Sequence, residues 1–261
     1  MTIYPEGREQ LDFLYPVLFV IAGAAVGSFL SVCADRLFDG RSILRGRSEC
    51  DNCARTLGNL DLVPIFSFLW LRGRCRYCGA AIPRRLPVME AITAVLFGLI
   101  WLRSETIVQG AINAMHVSLL VLVAQIDISH RLILNKIIYP WAALTMGLSA
   151  LLPNVGLLSA GIGGLLAFAV FAVIFAASSG GMGFGDVKLA GVIGLMLGFP
   201  MTPVGLVIAS ISGGLVGATL LLIRLKGRKD PLPFGVFLSF GAIVTLFWGP
   251  QILAAYLGLV M

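Results

Sequence analysis

The chain has 261 residues, a formal net charge of +6, 58% hydrophobic residues and only 12% charged ones. Soluble domains are about half apolar and about a quarter charged, so this composition excludes a soluble enzyme with a single anchor and predicts an all-α, multi-pass membrane protein. The basic balance does not imply a nucleic-acid partner, because the charges lie where membrane topology requires them.

A membrane-spanning helix takes about 20 apolar residues, with a range of roughly 17–25. On that measure, spans are predicted near 13–34, 87–102, 107–126, 137–152, 157–177, 187–200, 203–223 and 234–258, about eight in all. The first run is too long for the apolar core of a signal peptide. It is also preceded by Glu6, Glu9 and Asp12 instead of basic residues, so a retained span is expected. Pro87, Pro140, Pro200, Pro203 and Pro233 are expected at helix ends, where proline is tolerated. Small residues crowd 156–164 and 209–218 and predict close helix packing. The Gly213/Gly217 pair is read as intramolecular packing.

Between the first two spans lie Arg36, Arg41, Arg45, Arg47, Arg55, Arg72, Arg74, Arg76, Arg84 and Arg85. Short cytoplasmic segments collect Lys and Arg. With that segment cytoplasmic, eight alternating spans put Arg131, Lys136, Lys188, Arg224, Lys226, Arg228 and Lys229 inside too, and only Arg8 and Arg103 outside. Both termini are then extracytoplasmic. The domain organisation follows: 1–34 with the first span, a cytoplasmic domain over 35–86, and a membrane core over 87–261.

The cytoplasmic segment carries Cys50-Asp-Asn-Cys53 and, after twenty-one residues, Cys75-Arg-Tyr-Cys78. Two Cys-x-x-Cys knuckles so spaced suit tetrahedral zinc on four thiolates, a structural site with no open position. A domain of about 50 residues has little core of its own, and a metal would supply much of its folding energy. Reduced cysteines or a transient disulfide are the alternative. Cys33, in the first span, is a small buried hydrophobe.

Two carboxylates fall at the cytoplasmic end of predicted spans. Asp127 closes the third span, and Asp186, in Gly181-Met-Gly-Phe-Gly-Asp-Val-Lys188, opens the sixth. A carboxylate at membrane level is costly and needs a reason to be there. Taken alone, Asp127 reads equally as an interfacial acid, solvated or paired with Arg131. Two carboxylates brought together in a partly dry site share a proton. The ionised one then takes a proton from water while the other polarises a carbonyl. No Gly-x-Ser-x-Gly elbow, HExxH pair or phosphate loop competes. His116 reads as a packed residue. Lys188 either holds a nearby negative charge or snorkels.

These residues resemble the bacterial prepilin peptidases, or type IV leader peptidases, over nearly the whole chain. The resemblance rests on Gly27-Ser-Phe-Leu30, the two cysteine knuckles with Leu71–Gly79, Arg85-Leu-Pro-Val-Met-Glu90, Asp127–Asn135, Gly183-Phe-Gly-Asp186 and Pro233-Phe-Gly235. Leu134 and Asp51 stand where the family usually has proline. The resemblance implies an aspartic membrane endopeptidase of the bacterial inner membrane. Asp127 and Asp186 are its catalytic pair, with Gly183, Gly185 and Lys188 around them. It would remove the short basic leader of type IV prepilins and pseudopilins from the cytoplasmic side, after a glycine. Many members then N-methylate the new terminus with S-adenosylmethionine, and the cysteine loop goes with those bifunctional members.

The methyl-donor site is not legible in the sequence. Glu90, at the start of the second span, reads as a helix-end charge paired with a loop arginine or as a contact to the substrate amine or methyl donor. Two other functions stay open: a peptidase without methyltransferase activity, and a proton-coupled transporter. The transporter reading leaves the cysteine loop unexplained and expects its acids at the midplane.

Overall fold

A computed structural model describes residues 14–43, 45–150, 155–178, 181–225, 227 and 232–260. Arg8, Lys226, Arg228 and Lys229 of the charge count lie outside the described residues, as do the first residue of the first predicted span and the end of the fourth. Among the described residues the architecture is helical: α1 (Leu14–Phe38), α2 (Phe66–Trp70), α3 (Arg85–Arg103), α4 (Ile107–His130), α5 (Asn135–Ser149), α6 (Gly156–Ala177), α7 (Phe184–Leu197), α8 (Met201–Leu222) and α9 (Phe234–Val260), with a 3-10 turn at Asn59–Leu62. Every predicted span falls on a helix. Six helices (α1, α3, α4, α6, α8 and α9) are long and apolar enough to cross a membrane. The other two are short, with 15 residues in α5 and 14 in α7. At about 1.5 Å per residue they reach only about 70–75% of a hydrocarbon core of about 30 Å. Pro140 lies inside α5, not at an end. It is exposed there, and its ring removes one backbone hydrogen bond from the helix.

The chain divides into two compact units, Met1–Ser118 and Leu119–Met261, with the boundary inside α4. In the first, α1 packs along α3, and Tyr15 stacks on Trp101 with ring centroids 5.2 Å apart. Arg85, at the start of α3, forks onto both carboxylate oxygens of Asp35 near the end of α1, at 2.9 and 3.0 Å. Arg36 turns back the chain that follows α1, donating to the carbonyls of Ser42, Arg45, Gly46 and Arg47. Each cysteine knuckle is a tight hairpin closed by a single bridge, Glu49 to Thr56 and Arg74 to Ala81.

The second unit is built around α7. Val187, Leu189–Gly194, Met196 and Leu197 are all buried, and the helix touches α5, α6, α8 and α9. A helix that is apolar on every side belongs inside a protein, and the Gly-rich sequence of α7 supplies no polar face. Its contact with α6 is backbone to backbone: a Cβ on Gly163 would lie 2.5 Å from the Gly194 carbonyl oxygen. Gly213 and Gly217 face Phe234, Phe237 and Leu232 of the same chain, as read from the sequence.

Candidate active site

Asp127 sits three residues before the end of α4 and is 4% exposed. Its carboxylate lies against the first turn of α9, within reach of the backbone N–H groups of Gly235 and Val236. The first N–H groups of a helix lack intrahelical partners and carry partial positive charge, so they receive an anion readily. Pro233 precedes this turn, and its missing N–H costs nothing there. Gly235 is required by space: a Cβ would lie 2.8 Å from Asp127 Oδ2 and 3.2 Å from its Cγ. Oδ2 is buried and makes no well-aligned hydrogen bond among the described residues.

Asp186 is the third residue of α7, whose N-cap is Gly183. Its N–H donates to the Gly183 carbonyl at 3.1 Å, and its carboxylate reaches back to the Gly183 N–H. An acid at the third helical position therefore caps its own helix. Asp186 is half-buried. One side chain lies against both acids' supporting glycines. Ile133 Cβ would be 2.9 Å from a Cβ on Gly185, and its Cδ1 3.3 Å from one on Gly235. The structure thus gathers Asp127, Gly183, Gly185 and Asp186 with the Pro233–Gly235 turn. Lys188 points elsewhere: its Nζ donates to Asn135 Oδ1 at 2.7 Å and lies over the Phe184 ring, 5.0 Å from the centroid.

Arg131 meets Asp127 through the backbone, its N–H donating to the Asp127 carbonyl at 2.9 Å. No ion pair joins their side chains among the described residues. Leu134 is the N-cap of α5 with φ −78°, within the range that proline fixes, so leucine there leaves the turn intact. His116 is buried, and neither ring nitrogen has a partner among the described residues.

In the loop, the four sulfurs of Cys50, Cys53, Cys75 and Cys78 lie within 4.8 Å of one another. All are free thiols, and Cys50 Sγ is 3.8 Å from Cys78 Sγ, far beyond a disulfide bond of about 2.05 Å. The Cys53 and Asn52 N–H groups hold the Cys50 thiol below its ordinary value. The Ala80 N–H and the Asn52 side-chain amide do the same for Cys78. Asn52 Nδ2 is 3.7 Å from Cys78 Sγ, tying one knuckle to the other. Arg55 lies over the Tyr77 ring, 4.8 Å from its centroid, and makes a second tie. Glu90 lies in the second turn of α3 and accepts the Ile65 N–H at 2.7 Å. The partner expected was a loop arginine; a backbone N–H at a left-handed residue, φ +61°, takes its place.

A profile of the bacterial peptidase A24 N-terminal domain matches residues 21–104, and one of the type IV leader peptidase family matches 114–218. A prepilin leader peptidase/N-methyltransferase of Bacillus subtilis (strain 168) is 35% identical over 245 residues, covering 92% of this chain and 97% of its own. Proteins of the same description from Aeromonas salmonicida (strain A449) and Pseudomonas aeruginosa are 30% and 31% identical, covering 100% and 95% of this chain and 100% and 97% of their own.

The chain belongs to the type IV leader peptidase family. The family profile covers Asp127 and the Gly183–Lys188 stretch, and the N-terminal profile covers the four cysteines and Glu90. Gly235 and Val236, which hold Asp127, lie beyond both. The first signal for them in the sequence is proline then glycine at the start of a predicted span. No solved structure matches the chain.

Proposed function

We propose that this family member is a membrane aspartic endopeptidase of the bacterial inner membrane. In this reading it cleaves the basic leader from type IV prepilins or pseudopilins, then N-methylates the new terminus with S-adenosylmethionine. The observation that supports the peptidase half is that Ile133 lies against both Gly185, beside Asp186 in the first turn of α7, and Gly235, which meets Asp127 from the first turn of α9. Asp127 is held by the Gly235 and Val236 N–H groups, and Asp186 by that of Gly183. One carboxylate, ionised, removes a proton from water as its oxygen attacks the scissile carbonyl carbon. The other, protonated, gives its proton to the carbonyl oxygen. Collapse of the resulting diol returns a proton to the leaving amine and releases the leader. The fixed helix ends hold both acids without reorganisation during the reaction.

The relatives' shared description supports the methyltransferase half. Eight spans, with both termini extracytoplasmic and the acids at the cytoplasmic face, complete the reading. The protein shell around α7 makes its short length tolerable, since its backbone needs no contact with lipid. The four sulfurs suit zinc: ligands about 2.3 Å from a tetrahedral ion lie about 3.8 Å apart, matching the Cys50–Cys78 separation of 3.8 Å. Zinc there would stabilise the fold of the loop and do no chemistry.

A prepilin peptide incubated with detergent-solubilised protein tests both activities. Asp127→Asn and Asp186→Asn are each expected to lower cleavage by about 10²–10⁴-fold while the protein still inserts. Wild-type rates in either variant would remove the pair. A free, unmethylated amine on product made with added S-adenosylmethionine would leave a peptidase alone.

A further inference from the structure

We infer that the cavity bounded by the end of α1, the start of α3 and the cysteine loop binds the methyl donor, S-adenosylmethionine. This rests on the methyltransferase half of the function proposed above. The cavity has a volume of about 440 Å³, within the roughly 300–1,000 Å³ of small-molecule sites. Its wall has an unusual charge pattern. Residues 35–90 contain six acids, and five of them (Asp35, Glu49, Asp51, Asp61 and Glu90) line this one cavity. Only half of the ten arginines between the first two spans do so. A strongly basic segment thus encloses a locally balanced hollow.

That balance selects the ligand. S-adenosylmethionine carries a sulfonium and an ammonium, which seek carboxylates. Its own carboxylate seeks a guanidinium, its ribose hydroxyls can donate to acids, and its adenine needs an apolar wall. The cavity offers all four, the last through Val32, Leu57 and Phe68. A phosphate-bearing nucleotide would meet the acids, and a polybasic leader would meet the arginines. Three acids are already fixed: Asp35 by Arg85, Asp61 by Arg76 and the Gly58 N–H, and Glu90 by the Ile65 N–H. Glu49 and Asp51 make no ion pair among the described residues and remain for the ligand. Cys50 and Cys75 form part of the wall, so metal in the loop and donor in the cavity are coupled.

The test uses the full-length protein in detergent. S-adenosylhomocysteine binding is followed by calorimetry, and radiolabelled S-adenosylmethionine is cross-linked by ultraviolet light and mapped. One site is expected, with label on peptides between residues 28 and 90. Ala81→Trp, which puts an indole into the cavity wall, should weaken binding about tenfold or more. Glu49→Gln should weaken it less, and both variants should keep their zinc. Label confined to residues 119–261, or undiminished binding by a zinc-loaded Ala81→Trp protein, overturns the assignment. If the wild type methylates a pilin peptide but labels elsewhere, the cavity is wrong and the function stands. If it cleaves the peptide yet neither methylates nor binds, the methyltransferase reading fails and takes the cavity with it.

Discussion

Gly235 lies against two side chains, the Asp127 carboxylate and Ile133, and the carboxylate is the nearer. A methyl group would sit 2.8 Å from Oδ2, so Gly235→Ala must push the acid off the two N–H groups that hold it. A displacement on the 1 Å scale costs about 10²-fold in a positioned reaction, so leader cleavage should fall by about 10- to 100-fold, mainly in kcat. Cleavage kinetics of the purified variant measure this, and an unchanged kcat would show that Asp127 is not held through this turn. In the loop, Gly79 has φ +73°, a conformation that costs an L-residue roughly 1–2 kcal/mol. Gly79→Ala should lower zinc affinity about tenfold in a chelator competition. Ala54, at the matching place after the first knuckle, already bears such strain at φ +53°. Asn52 acts from outside the sulfur cluster, donating to Cys78. Loss of such an outer hydrogen bond typically costs about 10–100-fold in metal affinity, and Asn52→Ala should show it in the same competition.

At the scale of elements, α7 is the part that α5, α6, α8 and α9 all touch. Its sequence, Phe184-Gly-Asp-Val-Lys-Leu-Ala-Gly, has a carboxylate in the first turn and small residues wherever α6 approaches. The helix can therefore be short, buried on all sides and still present an acid at its open end. Gly163→Leu would drive a side chain into the α7 backbone. The cost of such overpacking is about 1–3 kcal/mol, and the thermal unfolding midpoint in detergent should drop by several degrees. If that midpoint does not move, the two backbones are not in contact. The spans α1, α3, α4, α6, α8 and α9 announce themselves by apolar length. The boundaries of α1 and α4 did not: both helices continue past their apolar runs, to Phe38 and His130. A helix ends where its hydrogen bonding ends, whatever the local hydropathy.

For the whole molecule, the division into Met1–Ser118 and Leu119–Met261 separates the cysteine cluster from the acid pair. The two should respond differently to chelation. Stripping the metal should expose residues 35–86 to limited proteolysis within minutes and leave the helices of the second unit uncut. Mass spectrometry of the fragments reads the outcome. A loop that stays resistant when metal-free would mean that its hydrogen bonds alone hold it. The transporter alternative has no observation in its favour here. The two acids are cradled by helix ends, whereas an ion path would leave them accessible from both sides.

The sequence by itself determined the class and the candidates. Apolar runs reported the helices, because backbone groups in lipid must be satisfied within a segment. Arginine placement yielded an expected topology, and two carboxylates at one depth were singled out because charge at membrane level is costly. Cysteine spacing named four sulfurs because knuckle geometry is local. The tertiary structure alone decided what those residues meet. That Gly235 and Val236 turn their N–H groups to Asp127, that Ile133 lies against the glycines of both acids, and that Glu90 pins Ile65 are contacts between segments distant in sequence. No spacing rule reaches them. The same holds for the acid-lined cavity, whose five carboxylates are scattered from Asp35 to Glu90 and acquire a common purpose only when α1, α3 and the loop fold around one volume.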